Sequence, residues 1–416
     1  MAKKKKTNLS DLIPDGELRD RMVEQLYSKR PLLEEGSVFS ELLQGMVNQM
    51  LEGEMDSFMS ESGKPEKKNK RNGKTKKTVI SNVGKLKIET PRDRNGEFEP
   101  ELIGKRERIL SSGLDEQILA LYAQGNSVED IRRLLVKLYG VSISSGKISM
   151  ITDRVLDEIE TFKTRQLLAF YTIVFLDAIH FKVRHEGKYE MRAFYTVYGT
   201  DAEGRRDLLG LYISESEGAN RWGIILEDLK NRGVEDILFI CTDNLSGFSD
   251  AISEVYPSSI IQKCIVHQIR NSVKFCDDKD YRPVIKDLKK IYQASTRDQA
   301  EIGLELFEKK WGKKYSRIGK SWRRNWDELM AYMDYPHALR KIIYTTNSVE
   351  ALHRIIRKFA KSKAAWVSEL ALIKQIYLSL MYNEKSWKRK TMSWKTISRI
   401  LMEDFGDRFT KHLDDA

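Results

Sequence analysis

Cysteine is scarce: the 416 residues hold three, Cys241, Cys264 and Cys276. That is too few for a disulfide scaffold and suits a reduced, cytosolic protein. Long apolar runs are also missing, so no bilayer-spanning helix is expected. The start, MAKKKK, is basic but has no apolar stretch behind it, and it does not read as a secretory signal. Acids fall short of bases, with 61 Asp and Glu against 72 Lys and Arg, a net charge of +11. A polyanion is the natural partner of that excess, although composition alone leaves nucleic acid and a merely basic soluble protein evenly matched. What is present is 41% hydrophobic residues, enough for a core, in a length that allows two or three domains.

Residues 1–63 read as a helical region, with Phe39, Leu42, Leu43, Met46, Met50 and Leu51 near helical spacing. Such a Met-rich stripe suits packing or a dimer contact better than a cofactor site. Residues 64–113 form a basic linker and a β-hairpin. KPEKKNKRNGKTKK (64–77) carries eight basic residues and one Glu, which reads as solvated chain or as a strip along phosphates. The alternation of Lys85 to Glu89 and the turn residues around it give the hairpin. Residues 114–165 read as three short helices, the second opened by Ser127 with Asp130 in the capping-box place. Short helices joined by tight turns suit a helix-turn-helix, with Lys147 near the start of the third helix as a base contact and Arg154 further along it. Any three-helix bundle has the same pattern.

From residue 166 the texture is α/β: three successive strands, then helix, strand, helix, strand and helix up to 274. Residues 275–338 interrupt it with a helical insertion bearing Trp311, Trp322 and Trp326, and 339–416 return as helices. That strand order is the order of an RNase H-like fold, in which the first and fourth strands are neighbours. Asp177 lies in the first strand, YTIVFLDAIHFKV, and Asp243 ends the fourth, DILFICTD. A lone strand aspartate is as often a salt bridge or a cap, but two at matched strand ends weaken that reading. Neighbouring carboxylates repel unless a cation sits between them, and Mg²⁺ prefers oxygen ligands. A third acid, Glu350, follows Asn347 in YTTNSVEALHRIIRK. It can simply complete a capping box. Yet Val349, Leu352, Ile356 and Phe359 make an apolar stripe, with Glu350, His353, Arg354, Arg357, Lys358 and Lys361 off it. An acid beside a row of cations suits a metal and phosphate site flanked by DNA backbone, with His353, Arg354, Arg357 and Lys358 as DNA contacts.

These motifs together resemble the mutator-type transposases of bacterial insertion sequences, over roughly Asn72 to the C-terminus. The signatures are RNGKTKKTV…GKLKIETPRDRNGEFEP, LYGVSISSGKISMITDRVLDEI, FLDAIHFKV, CTDNLSGF, KCIVHQIRNS, IYTTNSVEALHRIIRK, ALIKQIYLSL and KSWKRKTMSW. The first sixty or so residues match no signature. The resemblance implies that Asp177, Asp243 and Glu350 are the Asp-Asp-Glu catalytic and metal-binding triad. It also implies that the helical insertion falls between second Asp and Glu. Cys264 and His267 are half of a zinc site with no second pair nearby, so with Asn347 they are expected to support the acids. His180, three residues past Asp177, should face the other side of its strand.

The implied chemistry is metal-dependent phosphoryl transfer with two Mg²⁺ ions, or Mn²⁺, in which DNA strands are nicked and joined without a protein nucleophile. The expected partners are the element's terminal inverted repeats and target DNA, bound by a homodimer in the bacterial cytoplasm at the nucleoid, with no membrane. The resemblance suggests a copy-out, paste-in route. Two other readings share part of this sequence. A metal nuclease of the same fold would cut and never join, and would have less need of residues 114–165. A non-enzymatic helix-turn-helix repressor would leave the three acids unexplained.

Overall fold

The computed structural model describes residues 16–28, 36–61, 69–81, 84–105, 112–139, 142–215, 218–245, 247–274, 276–344, 347–360 and 363–413. They divide into two compact units, residues 1–153 and 154–416. Among the described residues no helix is long and apolar enough to cross a membrane.

The first unit contains helices Glu17–Tyr27 and Val38–Glu61, an antiparallel hairpin of β1 (Arg71–Ser81) and β2 (Gly84–Asp93), and three short helices. The hairpin reaches further back than its alternation suggested: Arg71 to Lys77, expected as linker, are strand. Their charge is offset by the preceding helix, where Glu52 pairs with Arg71 and Lys74 at 2.6 Å each and Asp56 also pairs with Arg71. Residues 64–68 lie outside the described residues. Val47 and Leu51 pack on Val79, Leu86 and Ile88 of the hairpin. The buried face of that helix is therefore Val47, Leu51 and Met55, four residues apart, while Met46 and Met50 stay exposed. Helices Ser112–Ala123, Val128–Tyr139 and Ser145–Asp153 follow. The capping box is formed: Asp130 N–H donates to Ser127 Oγ (3.1 Å) and Ser127 N–H to Asp130 Oδ2 (3.1 Å). The third helix is shorter than its sequence suggests. A new one, Val155–Thr164, begins after Arg154, in the other unit, with no proline or glycine at the break.

In the second unit five strands form one sheet in the order β5-β4-β3-β6-β7: β3 is Phe170–His185, β4 Lys188–Thr200, β5 Arg206–Ser214, β6 Asp236–Thr242 and β7 Ile260–Lys263. β3 to β5 are antiparallel, while β6 is parallel to β3 and β7 to β6, so the first and fourth strands lie side by side as the sequence order suggested. Both faces of β3 are covered over most of its length, which explains its near-continuous apolar run. On one face Val174 and Leu176 meet Trp222, Ile225, Phe248 and Ile252 from the helices that flank β6. On the other, Phe239, opposite Ile173 in register, meets Phe405 of the C-terminal helices.

The segment between β7 and the Glu350 helix is helical, with Asp278–Tyr292, a long helix Arg297–Arg324 bent at Tyr315, and Trp326–Met330. Trp322 is fully buried, and its indole N–H donates to Ser272 Oγ at 2.9 Å. Trp322→Ala removes that bond together with a large buried side chain. It is expected to cost about 3–5 kcal/mol in chemical denaturation. A loss under about 1 kcal/mol would show that the insertion does not depend on this contact.

Candidate active site

Strand alternation places Ile173, Phe175 and Asp177 on the β3 face that the C-terminal helices cover. Asp177 is 8% exposed. Its Oδ1 accepts the N–H of Ala178 at 2.8 Å, and Thr196 of β4 stands opposite it in register. The parallel pairing of β3 with β6 runs to Leu176 opposite Thr242. Asp177 and Asp243 each lie one step further, on strands spaced by about 4.8 Å. The β6 end is held: Cys264 N–H donates to Thr242 O at 2.8 Å, and Leu245 N–H donates to Asp243 Oδ1 at 3.2 Å. Asn244, next to Asp243, donates to Gln268, which donates to Ser321 of the insertion's long helix at 3.1 Å. The insertion is thus keyed to the loop that carries the second aspartate.

Glu350 lies in the first turn of helix Asn347–Ala360, and its Oε1 is 3.3 Å from Arg270 Nη2. Arg270 comes from helix Ile265–Val273, the helix of His267. Three residues beyond Glu350, His353 departs from the sequence reading. It is 1% exposed, with Nδ1 3.2 Å from Asp177 Oδ2 and Nε2 2.8 Å from Thr196 Oγ1. Both ring nitrogens are occupied inside the protein, so this side chain is not a DNA contact in this structure. Burial is the main cause that depresses its pKa to about 3, helped by Arg357 and His267. Burial thus disfavours the charged ring, and its Nδ1 is the atom that faces the Asp177 carboxylate.

Cys264 and His267 both lie past the end of the fifth strand. β7 ends at Lys263, Cys264 caps the helix that follows in an extended conformation, and His267 lies in that helix. The buried His267 Nδ1 has no hydrogen-bond partner among the described residues. The three cysteines form no disulfide. Asn347 opens the Glu350 helix, and its side chain lies outside the described residues. β3 has no bulge against β4, so His180 faces away from Asp177. Arg354, Arg357 and Lys358 are exposed on the Glu350 helix. Lys147 is half-buried beside Ser144, whose Oγ accepts its N–H at 3.2 Å, and Arg154 is exposed. Sequence reasoning missed Thr196 and Arg270. Arg270 left a trace, the three-residue step from His267 in CIVHQIR, which puts both on one side of a helix.

The donor set suits a hard divalent cation, since all three acids offer carboxylate oxygen. The set is not gathered, however. Among the described residues no three His, Cys, Asp or Glu side chains stand close enough to hold one ion. Glu350 faces Arg270 instead.

The sequence model of the mutator family of transposases matches residues 18–390. A probable transposase for insertion sequence element ISRM3-like of Sinorhizobium fredii is 37% identical over 374 residues, 89% of this chain and 93% of that protein. The transposase for insertion sequence element ISRM3 of Rhizobium meliloti is 37% identical over 393 residues, 94% of this chain and 97% of its own length. A probable insertion-element transposase of Corynebacterium diphtheriae is 35% identical over 78% of this chain and its whole length. A match that takes in Asp177, Asp243 and the Glu350 helix places this chain in the mutator family of transposases.

Proposed function

We propose that the protein binds the terminal inverted repeats of its insertion sequence and cuts and joins DNA strands at Asp177, Asp243 and Glu350, in an RNase H-like sheet. The observation that carries this reading is the pairing of β3 with β6, which brings two aspartates 66 residues apart in sequence side by side, Asp177 in the middle of β3 and Asp243 just past the end of β6. Bound Mg²⁺ or Mn²⁺ would supply Lewis-acid activation of an attacking hydroxyl and neutralise the leaving oxygen. Asp177 and Asp243 would be its fixed ligands, and Glu350 would join them on leaving Arg270. Arg270, Arg354, Arg357 and Lys358 would hold the DNA backbone beside the acids.

The three short helices of the first unit are our candidate end-reading module, as a helix-turn-helix with Lys147 on its third helix. The exposed Met46 and Met50 are our candidate contact for a homodimer on DNA. The assay is direct. Purified protein, terminal-repeat duplex, target DNA and Mg²⁺ or Mn²⁺ should give joined products on a gel. Cut but unjoined ends alone would favour a nuclease, and binding without cutting would favour a repressor.

The insertion's cations divide into two groups. Lys314 pairs with Asp277 and Asp280, and Arg323 makes a two-pronged contact with Glu308. Lys313 and Arg324 are exposed, with no ion-pair partner among the described residues. Neutralising Lys313 and Arg324 should lower strand transfer while Tm holds, whereas neutralising Lys314 and Arg323 should lower Tm. If the first pair leaves joining unchanged, the insertion is scaffold only.

A further inference from the structure

We propose that His353 is the positioning residue of this acidic centre: its Nδ1–H holds the carboxylate of Asp177 and ties the Glu350 helix to β3. The inference rests on Asp177, Asp243 and Glu350 being the reacting acids. It adds a residue that touches neither DNA nor the reacting atoms.

The geometry is closed on all sides. His353 Nδ1 is 3.2 Å from Asp177 Oδ2, and His353 Nε2 is 2.8 Å from Thr196 Oγ1. Thr196 is itself opposite Asp177 in the β3–β4 register, with its Oγ1 3.1 Å from the Asp177 carbonyl oxygen. A carboxylate only accepts, so the proton at that contact must sit on Nδ1. Nε2 faces Thr196 Oγ1, whose hydroxyl also donates to the Asp177 carbonyl oxygen. Thr196, fully buried, fixes the plane of the ring, and the ring fixes the carboxylate. Oδ1 is already held by the Ala178 N–H, so the two contacts set the orientation of Asp177 before any ligand arrives.

The same side chain acts on the third acid. Glu350 and His353 are three residues apart on one helix, hence neighbours on its surface. A bond from His353 to β3 sets how far Glu350 stands from the strand ends. A histidine kept only for packing would need neither nitrogen engaged. Here the loss of the ring takes a contact from Asp177 Oδ2 and from the Thr196 hydroxyl together.

Asparagine and glutamine separate these roles, because the amide nitrogen of Asn falls near Nδ1 and that of Gln near Nε2. The experiment uses the full chain as His353→Asn, His353→Gln and His353→Ala, with Asp177→Asn as reference. It measures Tm, Mn²⁺ affinity by calorimetry, and strand transfer. His353→Asn should stay near wild type in Mn²⁺ affinity and joining, while His353→Gln at a similar Tm loses about 10–100-fold in both. His353→Ala should lose as much as Gln or more, and if it fails to fold, the Asn and Gln pair still decides. Equal Mn²⁺ affinity for Asn and Gln overturns the positioning role while leaving the acids in place. Mn²⁺ binding that is indifferent to Asp177→Asn overturns the reading of the acids, and this one with it.

Discussion

Asp177→Asn, Asp243→Asn and Glu350→Gln are each expected to abolish both strand cleavage and joining while end binding stays near wild type. Each change keeps the shape of the side chain and removes one charge. The fold should tolerate all three. At 177 the amide nitrogen of Asn replaces one of the two oxygens that face His353 and Ala178, so its carbonyl accepts only one of those N–H groups and a modest fall in Tm is expected there. Asp243 is partly exposed and ends a strand whose hydrogen bonds are made by backbone. Glu350 loses only its contact with Arg270, a half-exposed pair worth at most about 1 kcal/mol. Chemistry has no such tolerance, because phosphoryl transfer relies on positioning and charge neutralisation, with little covalent work for a substitute to do. Substantial strand transfer by any one of the three would remove that residue from the centre.

A second large effect concerns the boundary of the proposed DNA-binding part. A fragment of residues 1–153 is expected to fold and to bind element ends with a steep salt dependence. A fragment of residues 64–165 is expected to lose the folded hairpin. The second cut deletes helix Val38–Glu61, whose Val47 and Leu51 cover the hairpin's Val79, Leu86 and Ile88 and whose Glu52 offsets Arg71 and Lys74. A two-stranded hairpin without that cover is marginal in water. Circular dichroism and titration with cognate and random duplex at several salt concentrations check both fragments. The slope of log K against log salt for 1–153 should be close to −0.9 per phosphate contacted. Equal folding and binding by 64–165 would show that the first helices are dispensable.

Much of the candidate site was legible because its signals are local. An acid in an otherwise apolar strand, an acid at the end of another, and a strand order that makes them neighbours can all be read along the chain. His353 shows where such reading fails. It reads as standing off the apolar stripe, although four residues from Val349 and three from Ile356 is a spacing that also fits the buried side. Its polarity argued for the outside, and only the partners Asp177 and Thr196, 176 and 157 residues away, make burial tolerable. The insertion misled in the opposite sense. Its basic run reads as a DNA surface, yet Lys314 and Arg323 are neutralised by acids up to 37 residues away. The helix break at Arg154 has no local mark at all, and the extent of β1 was hidden by lysines that only the acids of another helix make compatible with a strand.

The most direct test of the account is where Mn²⁺ binds. Crystals of the full chain with terminal-repeat DNA and Mn²⁺, measured at the manganese absorption edge, should show anomalous density between the side chains of Asp177 and Asp243, with Glu350 turned from Arg270 toward it. Density elsewhere, or none while DNA is bound, would contradict the assignment of these acids as the reacting centre.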